Sequence, residues 1–371
     1  MPDRHDTPPL DAADGPALDR AAIVREPLDE AALAHYLPEV FPEDDGPLRV
    51  EQFPGGYSNL TYLLRWGDRR FVLRRPPHGA QIATAHDMVR EYRMLIALDG
   101  VYPCVPKPIA LCIDEDVLGA PFYLMERVEG VILRTEPPAG LALTPAVFTA
   151  LSQAATDQLA ALHALDVDAL DLGDLGRPDG YVARQIGGWA KRWQRARTDD
   201  IPAIEAAFAW LVAHQPAESG ASLIHNDYKY DNLVLDPDDL TQIRALLDWE
   251  MATIGDPLMD VGTSLAYWAE ARDPGALRAF GLTALPGNLD RTGVWTRYCQ
   301  QRGLGDVDPL FYFVYGLVKV ATIAQQIYAR FQAGVATDPR FAALGHVIRA
   351  AGVIATRALE TGRISNLFDD A

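Results

Sequence analysis

A dense run of polar residues, HNDYKYDN, occupies positions 225–232 between two short apolar segments. It contains a carboxylate, Asp227, and an amide, Asn232, and a second carboxylate, Asp248, follows within the segment LLDWE. Mg²⁺ prefers a few such hard oxygen ligands and completes its coordination with water and phosphate oxygens. Phosphoryl transfer requires this kind of set, together with an acidic residue that orients the attacking hydroxyl group. The residue types and their spacing therefore predict chemistry on a phosphate group.

The apolar residues on both sides of this run predict two strands, with the polar residues on the loop between them, where catalytic groups commonly lie. The alternative is a surface hairpin stabilised by an Asx turn, which would account for Asp231 and Asn232. It would not account for His225, Asp227 and Lys229 in the same loop. We therefore favour a catalytic loop.

Upstream of this loop the pattern is that of a small β-sheet. LRVEQFPGGYSNLTYLLRW predicts two strands joined by a Gly-Gly turn, and RRFVLRRPP predicts a third strand that two prolines end. TAHDMVREYRMLIAL predicts a helix with Met88, Tyr92 and Leu95 on one face and Val89 and Ile96 beside it. Strands are also predicted at PIALCID and PFYLMERVEG, and helical segments dominate from about residue 131. This order predicts an α+β fold with a small sheet and a larger helical part.

Composition narrows the possible partners. The formal net charge of −18 argues against nonspecific binding to nucleic acid, whose phosphates attract clusters of Lys and Arg. The three scattered cysteines favour reduced thiols over a disulfide framework or a zinc site. The N-terminus lacks the apolar segment of a signal peptide, and FYFVYGLVKVATIAQQIY is interrupted by Lys319 and two glutamines, which favours a buried helix over a membrane span. We expect a cytoplasmic chain without a membrane partner, and we leave its oligomeric state open.

HNDYKYDN and LLDWE resemble the catalytic loop and the metal-binding segment of the aminoglycoside phosphotransferase and choline kinase family, which are relatives of the protein kinases. The resemblance covers roughly residues 48–269. It implies a two-lobed, protein-kinase-like fold, with Asp227 as the catalytic base and with Asn232 and Asp248 as Mg²⁺ ligands. It also implies ATP as the phosphate donor, with GTP still open. Lys229 would contact the γ-phosphate, and a surface lysine is the alternative.

The resemblance divides the chain into three parts. Residues 1–25 are predicted from their polar, Pro- and Asp-rich composition to be a disordered tail, and residues 26–128 are predicted to form a nucleotide-binding lobe with a leading helix capped by Asp29. Residues 129–371 form a helical lobe that carries the catalytic loop and the substrate pocket.

The segment PGGYSNLT resembles the loop that positions the nucleotide in this family. Gly55 and Gly56 would let the backbone approach the phosphates closely, and Ser58 would contact one of them. By itself a Gly-Gly turn between strands is more often only a connection.

The third strand and the following helix carry the next residues that the resemblance implies. Val72 and Arg74 share one face of the strand, with Val72 covering the adenine and Arg74 reaching the phosphates. The family has a lysine where this chain has Arg74, and the two residues are not interchangeable. Glu91 would be the helix partner of Arg74, and a solvated glutamate is the alternative. An exposed arginine is likewise the alternative for Arg74.

PFYLMERVEG resembles the hinge between the lobes, where the backbone of Met125, Glu126 and Val128 would read the edge of the adenine. Asp260, in GDPLMD, is expected to be structural, and His163 is expected to be a core histidine. Four aromatic residues could line a substrate pocket, but in helices such residues more often belong to the core; they are Trp189, Trp193, Tyr267 and Trp268.

Within the family, the motifs resemble most the phosphotransferases related to the kinase-like domain of certain acyl-CoA dehydrogenases. This implies a small-molecule hydroxyl as phosphate acceptor, such as a hydroxyacyl-CoA or a hydroxy acid, whereas the acidic composition favours a cationic aminoglycoside antibiotic. Three rival functions remain: a catalytically silent pseudokinase, a metal-dependent hydrolase built on His225, Asp227 and Asp248, and a protein kinase. The last lacks an obvious activation segment after LLDWE.

Overall fold

The computed structural model of the chain describes residues 26–44, 46–53, 59–77, 87–336 and 338–369. The predicted tail over 1–25 and the predicted nucleotide loop with Gly55, Gly56 and Ser58 lie outside these ranges. The first part of the described chain contains three helices and five strands: α1 (Glu30–Val40), β1 (Leu48–Gln52), β2 (Leu60–Trp66), β3 (Arg69–Arg75), α2 (Met88–Leu98), β4 (Pro108–Cys112), α3 (Glu115–Leu118) and β5 (Phe122–Glu126).

The five strands form one antiparallel sheet in the order β1-β2-β3-β5-β4. The alternation predicted for β3 is present: Phe71 and Leu73 pack into a core with α1, while Val72 faces the larger core with Met125. Asp29 caps α1 by accepting hydrogen bonds from the backbone N–H groups of residues 31 and 32, as predicted. A period of two in the sequence thus places Val72 and Arg74 on the face that meets the rest of the molecule.

Helix α2 packs one face against the sheet, but not the whole face that its apolar residues predict. Its buried residues include Met88, Glu91 and Leu95. Val89 and Ile96, expected beside this face, are 37 % and 52 % exposed. Glu91 is buried in their place because its carboxylate has buried polar partners. The buried face of α2 therefore includes Glu91 and not Val89 or Ile96.

The second part of the described chain is mainly helical. Its elements are α4 (Pro145–His163), α5 (Tyr181–Ala196), α6 (Pro202–Ala213), β6 (Ser222–Ile224), β7 (Leu233–Leu235), β8 (Ile243–Leu246), β9 (Thr253–Gly255), α7 (Pro257–Tyr267), α8 (Gly275–Arg278), α9 (Arg291–Gln301), α10 (Leu310–Gln332) and α11 (Leu344–Thr361). β6 pairs with β9 and β7 pairs with β8, both antiparallel. The polar run 225–232 and the segment 247–252 therefore lie side by side between these two ribbons.

Helix α10 is the interior helix of this part and packs against α7, α5 and α11. Where α7 and α10 cross, Gly262 and Gly316 bring the two backbones so close that a Cβ atom on either residue would collide with the opposite helix. By length and composition, the stretches Leu310–Gln332 and Pro339–Thr361 could each cross a membrane. The first has 78 % of its most apolar window buried inside the protein, which agrees with the buried helix predicted there.

Candidate active site

The predicted catalytic loop is a compact polar cluster centred on Asp227. Oδ2 of Asp227 accepts hydrogen bonds from Lys229 Nζ at 2.7 Å and from Asn232 Nδ2 at 3.0 Å. Asn232 Nδ2 also donates to the backbone carbonyl of Asp227 at 2.8 Å. Burial alone would lower the pKa of Lys229, but the adjacent Asp227 carboxylate outweighs it and raises that pKa above its ordinary value. Lys229 is therefore a charged partner of Asp227 and not a free surface lysine.

His225 joins this loop to the segment that carries Asp248. Its ring is fully buried, with Nε2 at 2.9 Å from the carbonyl of Leu247 and Nδ1 at 3.3 Å from the N–H of Asp227. Burial lowers the pKa of His225, and both contacts fit a neutral ring that donates from Nε2 and accepts at Nδ1. Both ring nitrogens are thus used, and the described residues contain no cluster of three His, Cys, Asp or Glu suited to a metal. The hydrolase hypothesis requires His225 as a metal ligand, and both of its ring nitrogens already have partners.

Asp260 holds the backbone of the loop through hydrogen bonds, in agreement with the structural role expected for it. Its carboxylate accepts the backbone N–H of His225 at 2.7 Å and that of Asn226 at 2.8 Å. His163 Nε2 lies 3.1 Å from the same carboxylate, and His163 Nδ1 lies 2.7 Å from the hydroxyl of Tyr298. Burial raises the pKa of Asp260, but the hydrogen bond from His163 outweighs it, so Asp260 stays ionised. His163 is 1 % exposed and is a core residue, as predicted.

Arg74 reaches across the cleft to the segment after β8. Its Nη2 donates to Asp248 Oδ1 at 2.9 Å, and its Nε lies 3.3 Å from Glu91 Oε2. Glu250 is a third carboxylate, at 3.8 Å. Burial disfavours the charge of Arg74, but Glu91 and then the other acids outweigh it and raise the pKa of Arg74. Both alternatives left open by the sequence are thereby decided, because Arg74 and Glu91 are 9 % and 2 % exposed.

Three further residues complete this side of the site, and the motifs alone did not reveal them. Asn59 Nδ2 donates to Glu91 Oε1 at 3.1 Å and to Glu250 Oε2 at 2.9 Å. The hydroxyl of Tyr123 donates to Glu91 Oε2 at 2.9 Å. Burial raises the pKa of Glu91, and the charge of Arg74 and the hydrogen bond from Tyr123 only partly oppose that effect. All three lie in segments that the sequence analysis singled out: Asn59 in PGGYSNLT, Glu250 in LLDWE and Tyr123 in PFYLMERVEG, where Tyr123 is paired in register with Arg74.

The predicted hinge residues lie at the end of β5. Met125 is paired with Val72 and is buried beside it, and Glu126 is exposed. Val128 packs against a small apolar cluster of Ile132, Val234, Ala245 and Leu247, separate from the two main cores. The backbone N–H of Glu126 donates to the carbonyl of Lys107 at 2.8 Å. Apolar side chains thus lie on β3 and β5, at Val72 and Met125, and also just before Asp248, at Leu247.

A narrow pocket opens on the other side of Lys229. It is lined by Lys229, Tyr230, Asp231, Ser264, Tyr267, Trp268, Phe280, Gly281 and Thr283. Lys229 Nζ lies 4.8 Å from the centre of the Tyr267 ring. Within the described part of the chain, the buried Ser264 hydroxyl has no hydrogen-bond partner. The expectation that these helical aromatics belong to the core is confirmed for Trp189, Trp193 and Trp268, which are buried. Tyr267 is only partly buried and lines the pocket, as Trp268 also does.

The residues present fit a Mg²⁺ ion. Asp248 uses Oδ1 for Arg74 and keeps 32 % of its side chain exposed. Asn232 turns its amide nitrogen toward Asp227, which leaves its amide oxygen as the atom available to a cation. The backbone bond from Leu247 N–H to Asn232 O, 2.8 Å long, holds the two segments side by side. Two protein oxygens from two segments are the small set that Mg²⁺ uses beside phosphate and water.

These features define the two-lobed, protein-kinase-like α+β fold that the sequence predicts, and comparison with known proteins confirms it. A family model described as the phosphotransferase enzyme family, APH, matches residues 49–295. The chain belongs to this phosphotransferase family.

The relatives include the mouse protein named acyl-CoA dehydrogenase family member 10, which is 34 % identical over 84 % of this chain. The match spans only 29 % of that relative's length. Among solved structures, a provisionally named aminoglycoside phosphotransferase from Ralstonia eutropha JMP134 is 33 % identical, with a TM-score of 0.76 over 90 % of this chain and 99 % of its own. Aminoglycoside 2′-phosphotransferase-IIIa, solved as a GDP complex, has a TM-score of 0.59 at 17 % identity over 88 % and 99 % of the two chains.

Proposed function

We propose that this chain transfers the γ-phosphoryl group of ATP, bound with Mg²⁺, to the hydroxyl group of a small molecule. The observation that carries the proposal is the convergence of two clusters, Asp227–Lys229–Asn232 and Arg74–Glu91–Asp248, at one cleft between the sheet and the helical part. The GDP complex of a protein with the same fold keeps GTP as the alternative donor.

The nucleotide would lie between the apolar residues of β3 and β5 and those of the segment just before Asp248. Val72 and Met125 would contact the adenine from the sheet, and Val234 and Leu247 would contact it from the opposite side. Val128 and Glu126 offer backbone groups at its edge. The guanidinium of Arg74 would exchange part of its contact with Asp248 for the phosphates, while Glu91 keeps it in place.

Asn232 and Asp248 would hold Mg²⁺, which when bound neutralises charge on the phosphate oxygens. The chain's own residues would do the rest. The Asp227 carboxylate would accept a hydrogen bond from the acceptor hydroxyl and take its proton as the oxygen attacks phosphorus. The Lys229 ammonium, 2.7 Å from Asp227, would turn toward the transferred group and stabilise its charge. Positioning and electrostatics would supply most of the rate.

The acceptor would enter the narrow pocket beside Lys229. Four of its lining residues are aromatic, and Ser264 adds a buried hydroxyl that has no partner within the described chain. These residues could contact the apolar and hydroxyl groups of a hydroxyacyl-CoA or a hydroxy acid at the mouth of the pocket. The identity with a protein named as an acyl-CoA dehydrogenase family member supports the same class. We further propose that the protein is cytoplasmic. The substrates and partners of the intact protein are likewise part of this proposal.

One observation favours a second candidate, phosphorylation of an aminoglycoside. Asp231 lines the pocket, and its carboxylate could bind an ammonium group of such a cation. Burial raises the pKa of Asp231, however, and Lys229 and Arg134 only partly oppose this.

The test is ADP release from MgATP with a panel of acceptors: hydroxyacyl-CoAs, free hydroxy acids, aminoglycosides, macrolides and choline. Asp227→Asn serves as the inactive control. Turnover of one class that is lost in the variant would establish the phosphotransferase and its acceptor. MgATP binding without turnover of any acceptor would favour the pseudokinase, and absence of MgATP binding would refute the proposal.

A further inference from the structure

A buried lysine of α10, Lys319, lies beneath the catalytic loop. It is 1 % exposed, although the residues around it on this helix are apolar or neutral. Its Nζ donates to the backbone carbonyl of Asn226 at 2.9 Å, to Asn226 Oδ1 at 2.8 Å and to Thr263 Oγ1 at 3.3 Å. The Trp189 ring, 5.9 Å from Nζ, covers it from α5. Two of its three hydrogen bonds therefore end on a single residue of the loop.

Asn226 immediately precedes Asp227 and has an unusual backbone conformation. Its φ of 67° lies in the left-handed region, where asparagine is tolerated better than most residues. Its N–H donates to Asp260 Oδ1 at 2.8 Å, and its Nδ2 donates to the carbonyl of Met251 at 3.1 Å. The donors of Asn226 are thus held by α7 and by the segment after β8, and both of its oxygens are held by Lys319. The direction of the chain at Asp227 depends on this grip.

We infer that Lys319 is a positioning residue, which holds Asn226 in the left-handed conformation and so aims the Asp227 carboxylate at the acceptor hydroxyl. The inference rests on the phosphotransfer proposed above. A methionine would fill the same space without the cost of burying a cation, so simple packing does not account for a lysine here. The hydrogen bonds to Asn226 do account for it, because the lysine Nζ donates to both oxygens at once, which a methionine cannot do.

The charged groups around Lys319 are consistent with its positioning the loop and not with its forming an ion pair. They are Asp260 on α7, Asp227 and Lys229 on the loop, and Arg192 on α5. Burial lowers the pKa of Lys319 to about 8, against the opposing effect of Asp260 and Asp227. The lysine has no carboxylate within hydrogen-bond distance among the described residues, and its direct partners are carbonyl and hydroxyl oxygens.

The test compares Lys319→Met with Gln325→Met on the same helix. Gln325 is equally buried, and its amide donates to Ala196 O at 2.9 Å and to Thr198 Oγ1 at 3.1 Å, away from the loop. We expect Lys319→Met to lower kcat roughly 10²-fold, the cost of a small misplacement of a reacting group. The KM for MgATP should change less than about threefold, since the nucleotide contacts lie elsewhere. Gln325→Met should keep the wild-type kcat.

Hydrogen exchange provides a readout that does not depend on turnover. In Lys319→Met the backbone amides of 225–229 should exchange faster, while those of β6 and of α10 remain protected as in the wild type. If the wild type turns over no acceptor, this measurement still decides the inference while the proposed function fails. Equal exchange in the two proteins, or a wild-type kcat in Lys319→Met, would overturn the role of Lys319 and leave the proposed function intact.

If Lys319→Met does not fold, Asn226→Gly approaches the same contact from the loop. Glycine adopts the left-handed conformation freely but removes the side-chain oxygen that Lys319 holds. Faster exchange at 225–229 and a lower kcat would support the inference, and behaviour like the wild type would refute it.

Discussion

The site contains two buried cations whose surroundings differ. Arg74, under the sheet, has three carboxylates around it, Glu91, Asp248 and Glu250. Lys319, under the catalytic loop, is hydrogen-bonded by carbonyl and hydroxyl oxygens. The pKa of Arg74 is raised, because its acids outweigh the effect of burial, whereas the pKa of Lys319 is lowered to about 8. The first cation is part of an ion-pair network, and the second is part of a hydrogen-bond network around Asn226.

The base between these two cations should show the largest effect. Asp227→Asn removes the proton acceptor but preserves the shape of the side chain, so we expect turnover to fall roughly 10²–10⁴-fold. Binding of MgATP should survive, because the substitution leaves Arg74, Asn232 and Asp248 unchanged. Steady-state kinetics and MgATP titration check this, and near-normal turnover would remove Asp227 from the mechanism.

Arg74→Met breaks the network on the sheet side. It leaves three acids without their shared cation, so we expect a loss of roughly 3–5 kcal/mol in the free energy of unfolding. Urea unfolding measures this loss, and the KM for MgATP should rise in the same variant. Arg74→Lys, the matched control, should lose less stability, because lysine retains the positive charge. Some loss should remain, because lysine lacks the guanidinium that bonds two carboxylates at once. Unfolding of Arg74→Met at the wild-type urea concentration would show that the network contributes nothing to stability.

The lysine on the other side should reveal itself in the pH dependence of stability. Its pKa is about 8 in the folded protein against 10.5 for an ordinary lysine, so the unfolded chain binds more protons between these values. Stability of the wild type should therefore rise, relative to Lys319→Met, by up to roughly 3 kcal/mol as the pH increases from about 8 to about 10.5. Urea unfolding of both proteins across this range measures the difference. Parallel stability curves would mean that the pKa of Lys319 is not lowered in the folded protein.

The smallest effect is expected in the pocket that neither cation reaches directly. Ser264→Ala removes a buried hydroxyl without a partner in the described chain, so stability should stay the same or rise slightly. The kcat/KM for the acceptor should fall about tenfold, the value of one hydrogen bond, with the KM for MgATP unchanged. Ser152→Ala is the control: its hydroxyl already bonds Thr149 O at 3.0 Å, so this change should lower stability and spare the acceptor. Unchanged acceptor kinetics in Ser264→Ala would place the acceptor elsewhere.

Much of this site could be predicted from the sequence, because its signals are local. The alternation of β3 placed Val72 and Arg74 on one face, and the apolar flanks placed Asp227 and Asn232 on a loop between strands. The partners of these residues could not be predicted in the same way. Whether Glu91 was solvated or buried depended on Asn59 and Tyr123, and the role of Tyr267 depended on where the end of α7 meets the loop.

The sequence by itself determined the chemistry of the site: which acids, amides and cations it contains, and which local segments present them. Only the tertiary structure decided which charges meet. Arg74 and Asp248 are 174 residues apart, and Lys319 and Asn226 are 93 apart. Periodicity and turn residues act over a few positions, whereas these pairs form because the sheet closes over the loop and two glycines bring α7 and α10 together. In the sequence, Lys319 only interrupts an apolar helix, whereas the fold brings it into contact with Asn226.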